Sequence, residues 1–210
     1  MTALQARQRM VDDLQARGIH DPRILKALLE VPRDEFVLPE FSGSAYDDSA
    51  LPLRHEQTIS QPFTVAFMLQ ALELQGTESG LEIGTGSGYG AAVFSRVVRQ
   101  VATIERIPEL ACEARQRLKR LGFDTVQVFE GDGTQGLPDR APYDAICITA
   151  AARMVPPACL QQLREGGRLI LPLQAAGESH QEMTRLTRHG TQFSRQTLGT
   201  FRFVPLIGEY

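Results

Sequence analysis

Long apolar runs, blocks of like charge and paired cysteines are all missing from this 210-residue chain, and each absence removes a class of function. No stretch approaches the roughly 18 apolar residues of a membrane-spanning helix. The opening MTALQARQRMVDDLQARG is amphipathic and lacks the apolar core of a secretory leader, so a cytoplasmic protein is expected. With a net charge of -3, a pI near 5.8 and no run of five like charges, the chain carries no electrostatic footprint for nucleic acid or an anionic membrane. The three cysteines, Cys112, Cys147 and Cys159, are odd in number and widely spaced. They form neither a disulfide framework nor a CxxC metal or redox site and read as buried structural thiols. Lysine is scarce too: only Lys26 and Lys119 among 22 basic residues, a bias of composition rather than of chemistry.

What is present fits one buried core. At 210 residues and 42% hydrophobic, the chain suits a single domain with residues 1–76 as a helical and loop-rich N-terminal segment and 77–210 as an α/β core. Thr2 is placed to cap a first helix that Gly18 terminates, and Asp21-Pro22 opens a second that ends at Pro32. Residues 32–61 show no clear period and read as loop with short extended pieces, a length of loop that is usually functional or disordered. Pro62 opens a third helix with Val65, Met68, Leu69 and Leu72 at helical spacing as far as Gly76. Strands and helices then alternate, the pattern of a parallel sheet covered on both faces. Strands are expected at 80–83, 101–105, 125–129, 143–149 and 167–172, with helices near 88–99, 108–121 and 156–164. Three further extended segments, 182–188, 192–198 and 200–206, predict an antiparallel finish.

The most informative stretch is LEIGTGSGY, residues 81–89, where an apolar strand breaks into Gly84, Gly86 and Gly88. Glycine lets the backbone approach a ligand closely and accepts positive φ, so this is a strand feeding a ligand-binding turn. Glu105 follows Gly84 by 21 residues, near the offset of the acid that binds ribose at the second strand of such a unit. Asp132 and Gly133 follow the third strand, where a carboxylate can accept an adenine amino group or simply make an Asp-Gly turn. Glu82 either contacts the ligand or orients the loop. The segment GSGYGA also satisfies a loose dinucleotide pattern, but no Lys or Arg occurs between residues 55 and 95 to meet a pyrophosphate. The acidic surroundings favour a sulfonium ligand.

In order, the motifs QTISQPFTVAFM, LEIGTGSGYGAAVF, IERIPELACEAR, EGDGTQGLP, APYDAICITAAA, GGRLILPL and RFVPL span about residues 30 to 206. Together they resemble the protein-L-isoaspartate O-methyltransferase family, and QTISQP is the block that separates that family from other S-adenosylmethionine-dependent methyltransferases. The resemblance implies a Rossmann-like methyltransferase fold. It also implies methyl transfer from S-adenosylmethionine to the α-carboxyl of L-isoaspartyl residues in damaged proteins, leaving S-adenosylhomocysteine. The methyl ester then closes to a succinimide that reopens partly to aspartate. By position, Ser60 corresponds to the active-site serine, with Thr58 and Ile59 in the same substrate loop. Gly84, Gly86, Gly88, Glu105, Asp132 and Gly133 match cofactor-binding positions, Thr149 borders the site, and Val204-Pro205-Leu206 resembles the segment covering the bound peptide. Damaged peptides are the expected partners and a monomer the expected state.

A carboxylate with a pKa near 4 is already ionised at neutral pH, so the nucleophile needs no general base. Ser60 is therefore read as a hydrogen-bond donor alongside Thr58, not as a protease-like nucleophile. The chemistry asks for alignment and for exclusion of water. The loop at 54–63 and the RFVPL segment are candidates for that cover. One position departs from the family: Glu56 stands where a glycine usually precedes QTIS. A positive φ there strains glutamate, and its charge opposes an anionic substrate, with Arg54 and His55 placed to offset it. Retained activity with a raised KM or altered peptide preference is expected. Gly90, polar in many relatives, is expected to matter less. Two alternatives stay open: a methyltransferase of the same fold acting on another carboxylate, and a cofactor-binding adaptor without turnover.

Overall fold

A computed structural model of the chain describes residues 2–174 and 180–209. Helix α1, Ala3–Ala16, starts at a reciprocal Thr2/Gln5 capping box and buries Met10, Val11 and Leu14. Helix α2, Pro22–Glu30, is capped by the Asp21 side chain and buries Ile24, Ala27 and Leu28. The irregular stretch after it contains two 3-10 turns, Arg33–Phe36 and Pro39–Ser44. It then forms a two-stranded antiparallel ribbon of β1, Leu51–Pro52, and β2, Thr58–Ile59.

Helix α3, Pro62–Ala71, stops short of the expected Gly76. Glu73 takes a positive φ of 50° just beyond it, and its carboxylate is held by Arg185 at 2.6 Å and Arg168 at 2.9 Å. That left-handed residue ends the helix before glycine is reached.

The core sheet follows the expected alternation. Strands β3, Ser79–Ile83; β4, Gln100–Glu105; β5, Val126–Glu130; β6, Tyr143–Ile148; β7, Leu163–Gln174; β8, Gln181–His189; and β9, Gln192–Phe201, lie in the order β5-β4-β3-β6-β7-β8-β9. The first five in that order run parallel, and β8 and β9 run antiparallel. Helices α4, Tyr89–Ser95; α5, Pro108–Arg120; and α6, Pro157–Gln162, make the connections. The expected strands 192–198 and 200–206 are not both formed. A single β9 runs through Gly199, at φ 135°, with a register shift opposite Glu182 and Thr184 that absorbs the glycine. Residues beyond Phe201 leave the sheet, and Pro205 bridges Ala151 instead.

Side chains alternate across the sheet. Leu81, Ile83, Ile146 and Ile148 enter one apolar cluster, with Cys159, Leu163 and Leu169. Ala145 and Cys147 enter the other, with α1, α2, α3 and α4. Each fully buried leucine or isoleucine contributes on the order of 1.5–3 kcal/mol, so the N-terminal helices are bound to the sheet by their apolar faces. At Gly80 a Cβ would run into the Phe94 ring, so glycine lets α4 lie close on β3. Cys147 and Cys159 are buried as expected, but Cys112 is exposed because it sits on the solvent side of α5. No described helix is long and apolar enough to cross a membrane. Among the described residues no cluster suits a metal ion.

Candidate active site

The parallel sheet reverses its winding at β3, with β4 and β5 to one side and β6 to the other, and ligands of such sheets lie at the carboxyl ends of the strands there. The chain places its glycines at that point. Gly84, Gly86 and Gly88 take φ of 96°, 51° and 89°, angles that L side chains rarely adopt. A Cβ on Gly84 would also collide with the Thr149 hydroxyl. That hydroxyl donates to the carbonyls of Ile83 and Gly84, at 3.0 and 2.8 Å, and so fastens the turn to the end of β6.

Glu105 is the second anchor. Its two carboxylate oxygens accept the N–H groups of Gly86, at 2.8 Å, and Ile107, at 3.0 Å. The carboxylate thus joins the glycine turn to the chain leaving β4. Below the turn lies Glu82, 3% exposed, which accepts from the Thr103 hydroxyl at 2.7 Å, with the Thr85 hydroxyl 2.7 Å from that of Thr103. Burial, offset only partly by Thr103 and added to by the nearby Glu105 charge, pushes the Glu82 carboxyl up to about 8. The Cys147 thiol beside it is raised by the same burial. A Cβ on Gly90 would meet a Glu82 carboxylate oxygen, so a side chain there requires the Glu82 carboxylate to shift.

These groups open into a cavity of about 430 Å³. Glu82, Gly84, Gly86, Glu105, Gly133 and Thr149 form its floor, and Thr58, Ile59 and Ser60 from the β2 ribbon form one wall. Val204, Pro205 and Leu206 form the front, held by the Ala151 N–H donating to the Val204 carbonyl at 2.8 Å and the Leu206 N–H donating to the Ala151 carbonyl at 2.7 Å. Two residues expected at the site do not line the cavity. Gly88 is the left-handed residue preceding α4, and a Cβ on it would press on Leu118 and Ala114, so it serves helix packing. Asp132 turns its carboxylate to Thr134, whose N–H and hydroxyl donate at 2.9 and 2.7 Å, and to the Glu209 N–H at 2.8 Å. Burial would raise its pKa, but the Glu209 and Thr134 donors outweigh that and hold it below the usual carboxylate range.

Arg202 and Phe203, from the RFVPL segment expected to cover the site, also line the cavity, as do Tyr89, Arg106 and Ile107, which were missed in the sequence. Tyr89 directly follows the last glycine and Ile107 lies two residues past Glu105, so adjacency to recognised positions was the available signal. The front segment also borders a second hollow of about 780 Å³, where Met154 and Ile207 are exposed.

In the 54–57 turn, His55 and Glu56 both take φ of 57°, so the left-handed backbone anticipated at Glu56 is present. Arg54 does not offset the Glu56 charge. It reaches Glu113 on α5, at 3.3 Å.

The donor set fits an adenosyl sulfonium: a turn with room for backbone approach, two carboxylates at its base, and no lysine or arginine in the glycine loop for a pyrophosphate. The chain matches the protein-L-isoaspartate(D-aspartate) O-methyltransferase family over residues 5–210. It is 50% identical over 198 residues to a protein-L-isoaspartate O-methyltransferase 2 of Pelobacter propionicus, covering 94% of this chain and 88% of that protein. A protein-L-isoaspartate O-methyltransferase of Herpetosiphon aurantiacus is 50% identical over 205 residues, 97% of this chain and 91% of that one. A solved protein-L-isoaspartate O-methyltransferase superposes with a TM-score of 0.89 at 32% identity, covering 96% of this chain and 66% of that one. A Plasmodium falciparum structure described as a protein-L-isoaspartate O-methyltransferase bound to S-adenosyl-L-homocysteine shares the fold, with a TM-score of 0.84 at 23% identity, covering 96% and 98% of the two chains.

Proposed function

The chain belongs to the protein-L-isoaspartate(D-aspartate) O-methyltransferase family, and we propose that the cavity between the glycine turn and the Thr58–Ser60 wall is where it methylates damaged proteins. It is a carboxyl methyltransferase of protein repair, using S-adenosylmethionine and acting on the α-carboxyl of L-isoaspartyl residues. The observation that carries the assignment of the site is that two separate sequence blocks, QTIS and GTGS, line one cavity.

When bound, the cofactor supplies an activated methyl group as a sulfonium. Gly84 and Gly86 give its nucleoside end backbone access, and Glu105 keeps the turn in place through the Gly86 N–H. The hydroxyls of Thr58 and Ser60 donate to the substrate carboxylate, which is already ionised and loses no proton in the reaction. One C–O bond forms as the C–S bond breaks, and the opposite charges of carboxylate and sulfonium vanish together. Water stabilises the separated charges, so excluding it accelerates the step. The Val204–Leu206 front and the buried Ile59 do that here.

The test is transfer of labelled methyl from S-adenosylmethionine to paired peptides differing only in isoaspartate or aspartate, followed by base-labile methanol release. Label confined to the isoaspartyl peptide and strongly reduced in Ser60→Ala supports the reading. Cofactor binding with no transfer to either peptide overturns it in favour of an adaptor, and equal labelling of both peptides points to another carboxylate.

A further inference from the structure

Arg33 is the largest fully buried side chain among the described residues, 0% exposed, and it has no carboxylate in hydrogen-bond contact. Its Nε donates to the Ala45 carbonyl at 2.8 Å and its Nη2 reaches the Ser49 carbonyl at 3.4 Å, while Nη1 has no hydrogen-bond partner. The guanidinium lies over the ring of Tyr89, 4.7 Å from the centroid, and Phe36 meets the same ring edge-on at 5.7 Å. The Tyr89 hydroxyl is also buried, and the charge it feels most strongly is that of the Arg33 guanidinium. Burying a cation this way is costly, and burial does lower the arginine's pKa from its ordinary value. A leucine or methionine would fill much of the space without that penalty, so the planar charged fork needs a reason beyond filling it.

The contacts of Arg33 supply one. Tyr89 lines the cavity directly after Gly88 of the glycine turn. The carbonyls that Arg33 binds belong to the stretch leading to Ala50, which also lines the cavity. In that stretch Asp48 accepts the N–H of Phe63 at 2.8 Å, at the start of α3 and three residues past Ser60, and is paired with Arg17, whose guanidinium lies 4.2 Å from the Phe63 ring centroid. A continuous set of contacts therefore runs from the glycine turn through Tyr89, Arg33 and the 45–49 loop to Asp48 and the base of the substrate wall.

We propose that Arg33 is a positioning residue for methyl transfer, fixing the spacing between the Tyr89 side and the Thr58–Ser60 side of the cavity. This rests on the functional reading above. Lysine keeps the charge but cannot stack on the ring and bind two carbonyls in one plane, so Arg33→Lys releases the spacing while leaving the pocket for the nucleoside in place.

The experiment measures S-adenosylhomocysteine binding by calorimetry, for affinity and stoichiometry, and turnover of an isoaspartyl peptide in the wild type, Arg33→Lys, Tyr89→Leu, and Arg33→Lys combined with Tyr89→Leu. Turnover is expressed per site that binds the product, which removes any loss caused by misfolded protein. The expected result is S-adenosylhomocysteine affinity within threefold of wild type and kcat per competent site at least fivefold lower in Arg33→Lys, with the double variant no worse than Tyr89→Leu. A smaller loss per competent site, or effects that multiply in the double variant, overturns the proposal. If Arg33→Lys does not fold, Arg33→Gln, which keeps a planar donor group without the charge, takes its place alone and in the double variant and is judged by the same limits. A loss in Tyr89→Leu alone, with Arg33→Lys unaffected, also overturns this inference, because Tyr89 lines the cavity itself. A wild type that binds the product and leaves the isoaspartyl peptide unmethylated overturns the functional reading and this inference with it. An active wild type with unaffected variants overturns this inference alone.

Discussion

Glu82 and Thr103 face each other across β3 and β4, the hydroxyl donating to the carboxylate at 2.7 Å beneath the glycine turn. The carboxyl is wholly buried and titrates near 8 against 4.5 when exposed. The folded state therefore holds a proton that the unfolded state releases across that interval, and stability falls as pH rises through it. The slope from this group approaches about 1.4 kcal/mol per pH unit within the window and vanishes above it. Urea unfolding of the wild type and of Glu82→Gln between pH 5 and 9 tests this. The glutamine variant loses that decline, and parallel pH curves for the two proteins contradict the assignment.

Asp132 predicts the opposite slope. Its pKa is lowered, so its contribution is present at neutral pH and is lost as pH falls below the ordinary carboxylate value of 3.8. Asp132→Asn replaces an ionised acceptor of three hydrogen bonds and is expected to cost about 1–3 kcal/mol at pH 7, with a smaller difference from wild type at pH 3. Chemical denaturation at the two pH values measures both.

At the substrate loop, strain and charge are separable. Glu56→Gly relieves a left-handed φ and is expected to stabilise by roughly 1 kcal/mol and to lower the KM for an isoaspartyl peptide. Glu56→Gln removes the charge and keeps the strain. If KM falls equally in both, repulsion of the anionic substrate is the cause; a fall confined to the glycine variant assigns it to the backbone. No change in either variant rejects both causes.

Gly84→Ala places a Cβ at φ 96° against the Thr149 hydroxyl and must break the bonds that fasten the turn to β6. Loss of about 2–3 kcal/mol in stability and a large fall in S-adenosylhomocysteine affinity are expected, read by thermal melting and calorimetry. Near-normal affinity in this variant is incompatible with the turn as the cofactor site.

Much of this arrangement was legible because local chemistry and tertiary role agree. A strand ending in alternate glycines needs those angles wherever it occurs, and the acid at Glu105 is fixed by the length of one strand-helix unit. Helix caps at Thr2 and Asp21 are written in adjacent residues. Arg33 was not legible: in VPRDEF it reads as an ordinary surface arginine, and only the return of residues 45–49 and Tyr89 over it makes it buried. The turning away of Asp132 depends on Glu209, 77 residues later, and the early end of α3 depends on Arg168 and Arg185 from another part of the sheet. Such contacts leave no periodicity or spacing to read.

One segment borders two hollows: Phe203, Pro205, Leu206 and Ile207 line both the cavity proposed for the reaction and the outer hollow beside Met154. Met154 lines the outer hollow alone, so a substitution there is expected to reach the cavity only through that shared segment, and any change it makes in peptide preference comes without altering a group that lines the proposed site.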